Sequence, residues 1–278
     1  MPLHFARTFV AVVGAVVLMT PFFSQAVVAR AVSSSFLYDF HVAGTLEEAG
    51  SEAETSSPYF WLNSGGLLHL YGGLGRTVHG PLPADNKWRL MYANANPLDT
   101  GNGYYPQNLF RFITRSKWQN VRAEMAFKIN ITNMTDSPNR DAHNAVLLMA
   151  RYVDSANLYY AGIRVDGYAV IKKKVGGRYY TLAMNNVFAN GQTYSRTSNP
   201  NLIPKNKWMK IRVETVNNPN GSVGVKLFLD KDNNNSWTQV ASVVDSGTSG
   251  PVVGSPGRVG IRTDFMDVEF DNLRMTNI

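Results

Sequence analysis

Hydrophobic and polar residues alternate with a period of two along most of this chain, and runs with a helical period are nearly absent. Segment 121–131 is the clearest case, because apolar residues occupy its odd positions and polar residues most of its even ones. The same alternation recurs in segments 208–216, 222–230 and 267–275. Many half-buried strands at short spacing predict an all-β fold, a jelly-roll sandwich of two antiparallel sheets.

Two regions depart from this pattern. Segment 38–108 is irregular and rich in glycine and aromatic residues, so we expect short strands mixed with loops. Segment 185–204 is long and polar, and we expect a loop across one rim. No proline- and serine-rich linker and no solenoid-type repeat follows the first thirty residues, which favours one domain over residues 31–278.

Residues 157–183 contain two turn signals, Asp166-Gly167 and Gly176-Gly177, which divide them into three strands. If each signal is a two-residue hairpin turn, the pairing of all three strands is fixed from the turns outward. A four-residue loop at 154–157 adds the preceding strand to the same sheet. Directly opposed residues share a face, so this register predicts a cross-strand row of Arg151, Tyr160, Lys173 and Tyr180. Arg164 and His143 are expected further along the same face.

The opposite face of these strands has the composition of a core, because it carries Ala161, Ile163 and Val165. Lys172 and Lys174 then lie at the rim of that core face. The row containing Tyr160 therefore lies on a polar, concave surface. An ordinary solvated outer face is the alternative, since lysine, arginine and tyrosine are common cross-strand neighbours there.

Charge and cysteine content narrow the possible functions. The chain holds 27 lysine and arginine residues against 20 acidic residues; without Arg7 and Arg30 the basic count is 25, so the remaining net charge is about +5. A positive charge favours anionic partners such as acidic polysaccharide. No nucleic-acid-binding motif occurs, and we expect no nucleic-acid partner. The absence of cysteine excludes disulfides, zinc–thiolate sites and thiol catalysis.

The first thirty residues have the organisation of an export signal. One arginine precedes an apolar run at 8–23, and small residues allow cleavage after Ala29 or Ala31. An uncleaved anchor is the alternative, because residues 8–29 are uncharged and nearly long enough to span a bilayer. Pro21 and Ser24 interrupt the apolar run and favour cleavage. We therefore expect a secreted or cell-surface monomer without stable membrane insertion.

Several segments together resemble the concanavalin A-like lectin/glucanase superfamily, including the laminin-G-like modules of exported bacterial proteins. They are "FLYDF", "LLMARYVDSANLYYAGIRVDGYAVIKKKVGG", "KWMKIRVE", "KLFLD" and "GRVGIRTDFMDVEFDNLRM", which span nearly all of residues 31–278. The resemblance implies a jelly roll whose concave sheet often holds carbohydrate. Lectins, glycoside hydrolases and polysaccharide lyases all occur on this fold, so the fold does not choose among them.

The residues of this chain bear on each of these functions. A retaining glucanase of this superfamily needs paired carboxylates in a pattern like E-x-D-x-x-E, which is absent here. A polyuronate lyase needs a cation to neutralise the uronate carboxylate and a base to remove the C5 proton. The row offers Arg151 and Arg164 for the first role, and for the second the candidates are Tyr160, Tyr180, Lys173 and His143.

Binding without catalysis requires fewer coincidences and ranks first. Tyrosine stacks on sugar rings, and arginine and lysine pair with carboxylates. The expected substrate-binding residues are Arg151, Tyr160, Arg164, Lys173 and Tyr180. "YYAGIRV" is also similar to the Tyr-x-Ala-Gly strand of jelly-roll alginate lyases, a match that points to Tyr159, but the Arg-rich and Gln-x-His signatures of those lyases are missing. A cell-surface adhesion or structural module without a glycan site is the third possibility.

No cofactor is required by any of these functions. A structural calcium ion is a further possibility, because Asp230, Asp232 and Asn234 stand at alternate positions as in calcium loops. The glycine and the distal glutamate of the EF-hand pattern are missing, and such a stretch is also common at the tip of a hairpin.

Overall fold

The computed structural model of the chain describes residues 35–132 and 135–278, and the expected export signal lies outside them. Within the described residues, sixteen antiparallel strands form two sheets. The predicted all-β, two-sheet antiparallel sandwich is therefore confirmed. None of the helices formed by these residues is long and apolar enough to cross a membrane.

The larger sheet has nine strands in the order β14-β13-β12-β7-β16-β5-β4-β2, with β1 also paired to β16. We call it the nine-strand sheet. Its strands are β1 (Ser35–Tyr38), β2 (Gly44–Glu47), β4 (Leu67–Tyr71), β5 (Leu74–Thr77), β7 (Val121–Thr132), β12 (Met209–Asn217), β13 (Val223–Asp230), β14 (Thr238–Asp245) and β16 (Met266–Asn277).

The other sheet, the seven-strand sheet, has the order β11-β10-β9-β8-β15-β6-β3. It contains the hairpins that the sequence divides at its two turn signals. Its strands are β3 (Phe60–Ser64), β6 (Leu109–Trp118), β8 (Ala145–Asp154), β9 (Asn157–Arg164), β10 (Tyr168–Val175), β11 (Arg178–Asn186) and β15 (Gly257–Asp264).

The main core lies between the inner faces of the two sheets. Met125 and Ile211 enter it from the nine-strand sheet, and Phe112, Leu148 and Ile163 enter it from the seven-strand sheet, all of them fully or almost fully buried. Because side chains alternate between the faces of a strand, this core accounts for the period-two pattern of the sequence.

A smaller hydrophobic cluster lies on the other, outer face of the seven-strand sheet. Ile113, Leu147, Met149, Tyr160 and Val170 belong to it, and Trp61 packs against it. These strands are therefore apolar on both faces along part of their length. The outer cluster forms the floor on which the polar side chains of the candidate site stand.

Two short helices, which the sequence pattern does not predict, lie in the irregular region 38–108. They are α1 (Lys87–Ala95) and α2 (Pro97–Thr100), followed by a 3-10 turn over Pro106–Asn108. The side chain of Asn86 accepts a hydrogen bond from the Trp88 backbone N–H at 2.9 Å and so caps α1.

Helix α1 is tied to the strands through Tyr92. Its hydroxyl donates to Glu48 at 2.6 Å and accepts from the Gly65 backbone N–H at 2.8 Å. These bonds therefore hold helix α1 against the residues that directly follow β2 and β3.

Candidate functional site

The pairing of β9 with β10 differs from the predicted register by one residue. Tyr160 faces Lys172 rather than Lys173. Strand β9 ends at Arg164 and β10 begins at Tyr168, so the connecting loop has three residues instead of two. Since a slip of one residue moves side chains to the other face, the predicted row does not form.

Lys173 lies on the inner face, where its side chain is completely buried. Its Nζ donates to the two carboxylate oxygens of Asp245 at 2.7 and 3.0 Å and to the Gly250 carbonyl at 2.8 Å. Tyr180 does pair with Lys173 across β10 and β11, as predicted. The pair does not share a face with Tyr160. The prediction that Lys173 and Tyr180 contact a ligand on the same face as Tyr160 was therefore wrong.

Arg151 also faces inward, because the register of β8 against β9 shifts after Ala150. Arg151 has a φ of 52°, in the left-handed region, which is characteristic of an irregular position in a strand. Its guanidinium donates to Asn217 at 2.6 Å and to the Gly254 carbonyl at 2.9 Å. The expected role of Arg151 on the concave face is therefore corrected to a buried link between the sheets.

Arg164 stays on the outer face but is already engaged. It forms an ion pair with Asp166 at 2.5 Å, and its Nε donates to the Ala142 carbonyl at 3.1 Å. Its side chain is only 8% exposed, so it holds the β9–β10 turn and the preceding loop together.

A polar cavity of about 370 Å³ lies on the outer face of the seven-strand sheet. Tyr160 forms part of its floor, as the sequence predicted for the concave surface. The remaining walls include residues of β10, β11, β15, helix α2 and the loop at 139–144. The charged and aromatic-hydroxyl side chains that line it are Asp99, Asp141, His143, Tyr160, Lys172, Tyr179, Arg262 and Asp264. We call this cavity the outer-face site.

Arg262 and two tyrosines form one side of the outer-face site. The Arg262 guanidinium carbon lies 6.0 Å from the centroid of the Tyr160 ring, and the Tyr160 and Tyr179 rings meet edge to face at 6.3 Å. The Arg262 Nε donates to Asp264 at 2.8 Å, and Asp264 raises the pKa of Arg262 above its usual value. The guanidinium is therefore charged and held in one orientation.

The two tyrosines have opposite pKa shifts. Burial raises the pKa of the Tyr160 phenol, which is therefore a hydrogen-bonding group and not a base. Burial also acts to raise the pKa of Tyr179, but Arg262 and Lys174 outweigh it, and the net result is a pKa below the usual value. Tyr179 is 53% exposed, so its hydroxyl is accessible to a ligand.

Lys172 is the lysine that the register slip brings into the outer-face site. It is partly buried, and burial followed by the proximity of Arg164 lowers its pKa below the usual value. Among the residues that the structure describes, its ammonium group makes no ion pair and no hydrogen bond. The charges of Asp264 and Asp141 act on Lys172 in the opposite sense, but neither carboxylate forms an ion pair with it. A partly desolvated cation without an ion-pair partner can be stabilised by an anionic ligand.

Three carboxylates, those of Asp99, Asp141 and Asp264, line the same cavity. The lining is therefore mixed in charge, and the prediction of a basic surface was wrong. Asp264 is paired with Arg262. Asp99 accepts hydrogen bonds from Ser137 and from Asn139, the latter at 3.0 Å, and so fastens loop 135–144 to α2.

His143 lies on that loop and lines the outer-face site. Its Nδ1 lies 3.1 Å from the carboxylate of Asp141, and its side chain is 61% exposed. His143 and Tyr160 are thus the two predicted site residues that line this cavity.

The segment expected to bind calcium forms the tip of the β13–β14 hairpin. The carboxylate of Asp230 accepts backbone N–H groups of Asp232, Asn234 and Asn235, the last at 2.7 Å. Asp232 forms an ion pair with Lys207 at 2.7 Å. Asp230 thus caps its own turn, no cluster of three metal-ligating side chains occurs among residues 35–132 and 135–278, and a calcium ion at this hairpin stays a prediction.

Sequence reasoning missed Lys172, Tyr179 and Arg262 as site residues. Arg262 had a usable signal, since segment 257–264 alternates and sets Arg262 against Ile261. Lys172 and Tyr179 had none, because only the length of a loop separates them from the neighbours chosen in their place.

No protein-family model and no curated protein matches this chain. Among solved structures, it is similar to the carbohydrate-binding module CBM66 from Bacillus subtilis, at 16% identity and a TM-score of 0.43, over 61% of this chain and 82% of that one. It is also similar to the GH43 protein BlXynB from Bacillus licheniformis, at 10% identity and a TM-score of 0.48, over 87% of this chain but only 39% of that one. A β-1,3-1,4-glucanase (lichenase) derived from a mouse hindgut metagenome gives 9% identity and a TM-score of 0.43, over 88% and 100% of the two chains. These values are too low to indicate what this chain binds.

Proposed function

We propose that this protein binds a polysaccharide carrying acidic sugars at the outer-face site. The observation that carries the proposal is Lys172, a partly buried lysine facing a polar cavity without a partner among the described residues. A uronate carboxylate placed against Lys172 satisfies that charge. Arg262 and the hydroxyl of Tyr179 lie on the same side and offer further donors to the same sugar.

The rest of the cavity suits the hydroxyl groups of a sugar. Tyr160 and Tyr179 present aromatic rings, which pack against the C–H surfaces of a sugar ring. Asp99, Asp141 and His143 also line the cavity and can accept or donate hydrogen bonds. Because cations and carboxylates are interspersed in its lining, the cavity favours a sugar with one carboxylate and several hydroxyls over a densely sulfated polymer.

Affinity electrophoresis tests this proposal. The purified chain is run through gels containing alginate, glucuronan, pectate or a glycosaminoglycan, and through gels containing neutral β-glucan or mannan. Retardation in at least one uronate gel that is lost in Lys172→Ala supports the proposal. Lys226→Ala, an exposed lysine on the nine-strand sheet, is the matched control. Equal mobility in all gels contradicts carbohydrate binding.

A uronate lyase is the second candidate, because the pKa of the Tyr179 phenol is lowered beside Arg262. In such a reaction the C5 proton passes to the Tyr179 phenolate and its electron pair forms the C4–C5 double bond. The C4–O glycosidic bond breaks, and the leaving oxygen takes a proton from the side chain of His143. Lys172 and Arg262 neutralise the uronate carboxylate and thereby acidify the C5 proton.

Absorbance near 235 nm distinguishes binding from cleavage, because elimination creates an unsaturated uronate. A rise during incubation with alginate or glucuronan that disappears in Tyr179→Phe identifies a lyase. Retention without such a rise identifies a binding protein.

Export is part of the proposal and rests on the apolar run at 8–23. Mass spectrometry of the protein secreted by an expression host tests it. A mature N-terminus after Ala29 or Ala31 supports export with cleavage, whereas retention of the full-length chain in the membrane fraction supports the anchor.

A further inference from the structure

The outer face of the seven-strand sheet continues past the outer-face site towards β6 and β3. Arg262 of β15 is directly opposite Arg111 of β6, and Trp61 of β3 is opposite Ile113. Directly opposed residues share a face, and like charges in that arrangement destabilise a sheet. Two arginines therefore lie side by side on this face, although their mutual repulsion destabilises the sheet.

The two arginines are not balanced in the same way. Arg262 has the carboxylate of Asp264 at 2.8 Å. Arg111 donates from its Nε to the side-chain oxygen of Asn63 at 2.5 Å, and its guanidinium lies 5.8 Å from the Tyr152 ring centroid. Within residues 35–132 and 135–278, Arg111 has no carboxylate partner. Its orientation is thus fixed by neutral groups while its charge stays available.

An anchored aromatic ring lies on the same edge. Trp61 is partly exposed, and its indole N–H donates to the Ala49 carbonyl at 2.8 Å. Asn63, two residues further along β3, donates to the Tyr152 hydroxyl at 3.3 Å as well as accepting from Arg111. A fixed indole, an amide and an unpaired guanidinium are the groups that recognise an acidic sugar.

We propose that Trp61, Asn63 and Arg111 form a second sugar subsite, so that one polysaccharide chain with repeated acidic units crosses the strands from Lys172 to Arg111. Strands β10 and β6 are four strand spacings apart, or about 19 Å at about 4.8 Å per spacing. The bound segment is therefore several sugars long, and its carboxylates recur along the chain. This inference rests on the proposed function and adds the length and charge pattern of the ligand.

Titration calorimetry with oligosaccharides of defined length tests the second subsite. The probes are the di- and hexasaccharides of alginate, with cello-oligosaccharides of the same lengths as neutral counterparts. The wild type is expected to bind the acidic hexasaccharide about tenfold or more tightly than the disaccharide, because only the longer chain reaches Arg111. In Arg111→Ala this ratio is expected to fall about tenfold, towards unity.

Three variants make the result specific. Lys172→Ala is expected to weaken both oligosaccharides, and Lys226→Ala neither. Arg111→Lys keeps the charge without the planar fork, and is expected to retain part of the preference for the longer chain. It also covers the case in which Arg111→Ala is too unstable to assay, which thermal unfolding of each variant reveals.

The possible failures are distinguishable. No binding of any probe by the wild type contradicts the proposed function itself. Binding of both oligosaccharides with equal affinity, or a preference for the hexasaccharide that Arg111→Ala leaves intact, contradicts only the second subsite. Tighter binding of the neutral hexasaccharide contradicts the charge pattern of the ligand.

Discussion

Lys172 and Lys173 follow each other in β10, yet their ammonium groups lie on opposite faces of the seven-strand sheet. Lys173 is completely buried and donates to both oxygens of Asp245. Lys172 faces the outer-face site and has no partner among the described residues. The same residue type thus forms a buried ion pair at one position and no ion pair at the next. The difference shows that the number of lysines in a segment does not identify a binding site. The sheet face on which each lysine lies and its ion-pair partner are what identify one.

The neighbouring tyrosines repeat this division. Tyr159 is completely buried, and its hydroxyl donates to Asp245 at 2.5 Å and accepts from the Val253 backbone N–H at 3.2 Å. Tyr160 faces outward and lies beneath Arg262. The inner hydrogen bonds therefore join β9, β10, β14 and the segment that follows β14. The outer side chains face the cavity, where a ligand can contact them.

Loss of the inner lysine is expected to have the largest effect. Lys173→Met leaves the carboxylate of Asp245 buried without its cation, which costs about 3–5 kcal/mol in the free energy of unfolding. Urea denaturation measures this cost. The double variant Lys173→Met with Asp245→Leu removes both charges and should recover much of the loss; an unchanged midpoint in Lys173→Met would contradict the structural role.

Tyr159→Phe is the next most damaging change. It removes the hydroxyl between Asp245 and the Val253 backbone N–H and leaves both short of a hydrogen bond, at about 1–3 kcal/mol. Urea denaturation again measures the free energy of unfolding. Tyr160→Phe is the matched control on the other face, where no such bond is lost, and equal destabilisation by the two variants would erase the distinction between the faces.

Lys172→Met should invert the pattern seen for Lys173→Met. The free energy of unfolding of Lys172→Met should stay within about 0.5 kcal/mol of the wild-type value, because no buried carboxylate loses its ion-pair partner. Binding of an acidic oligosaccharide should fall about tenfold or more, because a charge-assisted contact is lost. Calorimetry and denaturation on the same preparation check both values. Unchanged affinity would remove Lys172 from the site.

The pH dependence of binding sharpens the comparison further. An acidic ligand needs Lys172 protonated, and the pKa of Lys172 in the free protein lies below its usual value because of burial and Arg164. Wherever the carboxylates of the ligand are ionised, affinity should therefore be constant at pH values below that lowered pKa and should decline as pH rises through it. In Lys172→Arg the decline should disappear, because arginine stays charged. The same decline in wild type and Lys172→Arg would assign it to another group.

Lys174→Ala should have the smallest effect. Its Nζ lies 4.7 Å from the centroid of the Tyr179 ring at the edge of the sheet, and the expected change in the free energy of unfolding is within about 0.5 kcal/mol. Because Lys174 helps to lower the pKa of Tyr179, the phenol should titrate at higher pH in this variant. Ultraviolet titration of tyrosinate measures the shift.

The sequence was sufficient to predict the sandwich, because a strand buried on one face has alternating apolar and polar residues. Val213 and Leu227 show this pattern, and both are buried in the main core. The sequence was insufficient for the site, whose position depends on two local irregularities. The loop after Arg164 has three residues rather than two, and the register of β8 shifts at Arg151. Either change exchanges the faces of a strand without altering its composition.

The helices show a different limit. The alternation that marks strands gives no information about a nine-residue helix such as α1, whose start depends on one capping side chain, Asn86. The pairing of Lys173 with Tyr180 was correct because the Gly176-Gly177 turn has the two-residue length assumed for it. Turn length, more than strand composition, decided which parts of the site were predicted.

The attachment of loop 135–144 to helix α2 through Asp99 separates the wall of the outer-face site from its floor. The floor belongs to paired strands, where a substitution must respect the register and two hydrophobic layers. The wall belongs to segments that are distant in sequence and joined by a few side-chain hydrogen bonds. In the course of evolution, loop length and wall residues can therefore vary while the strands stay constant, so that one sandwich can serve successive ligands.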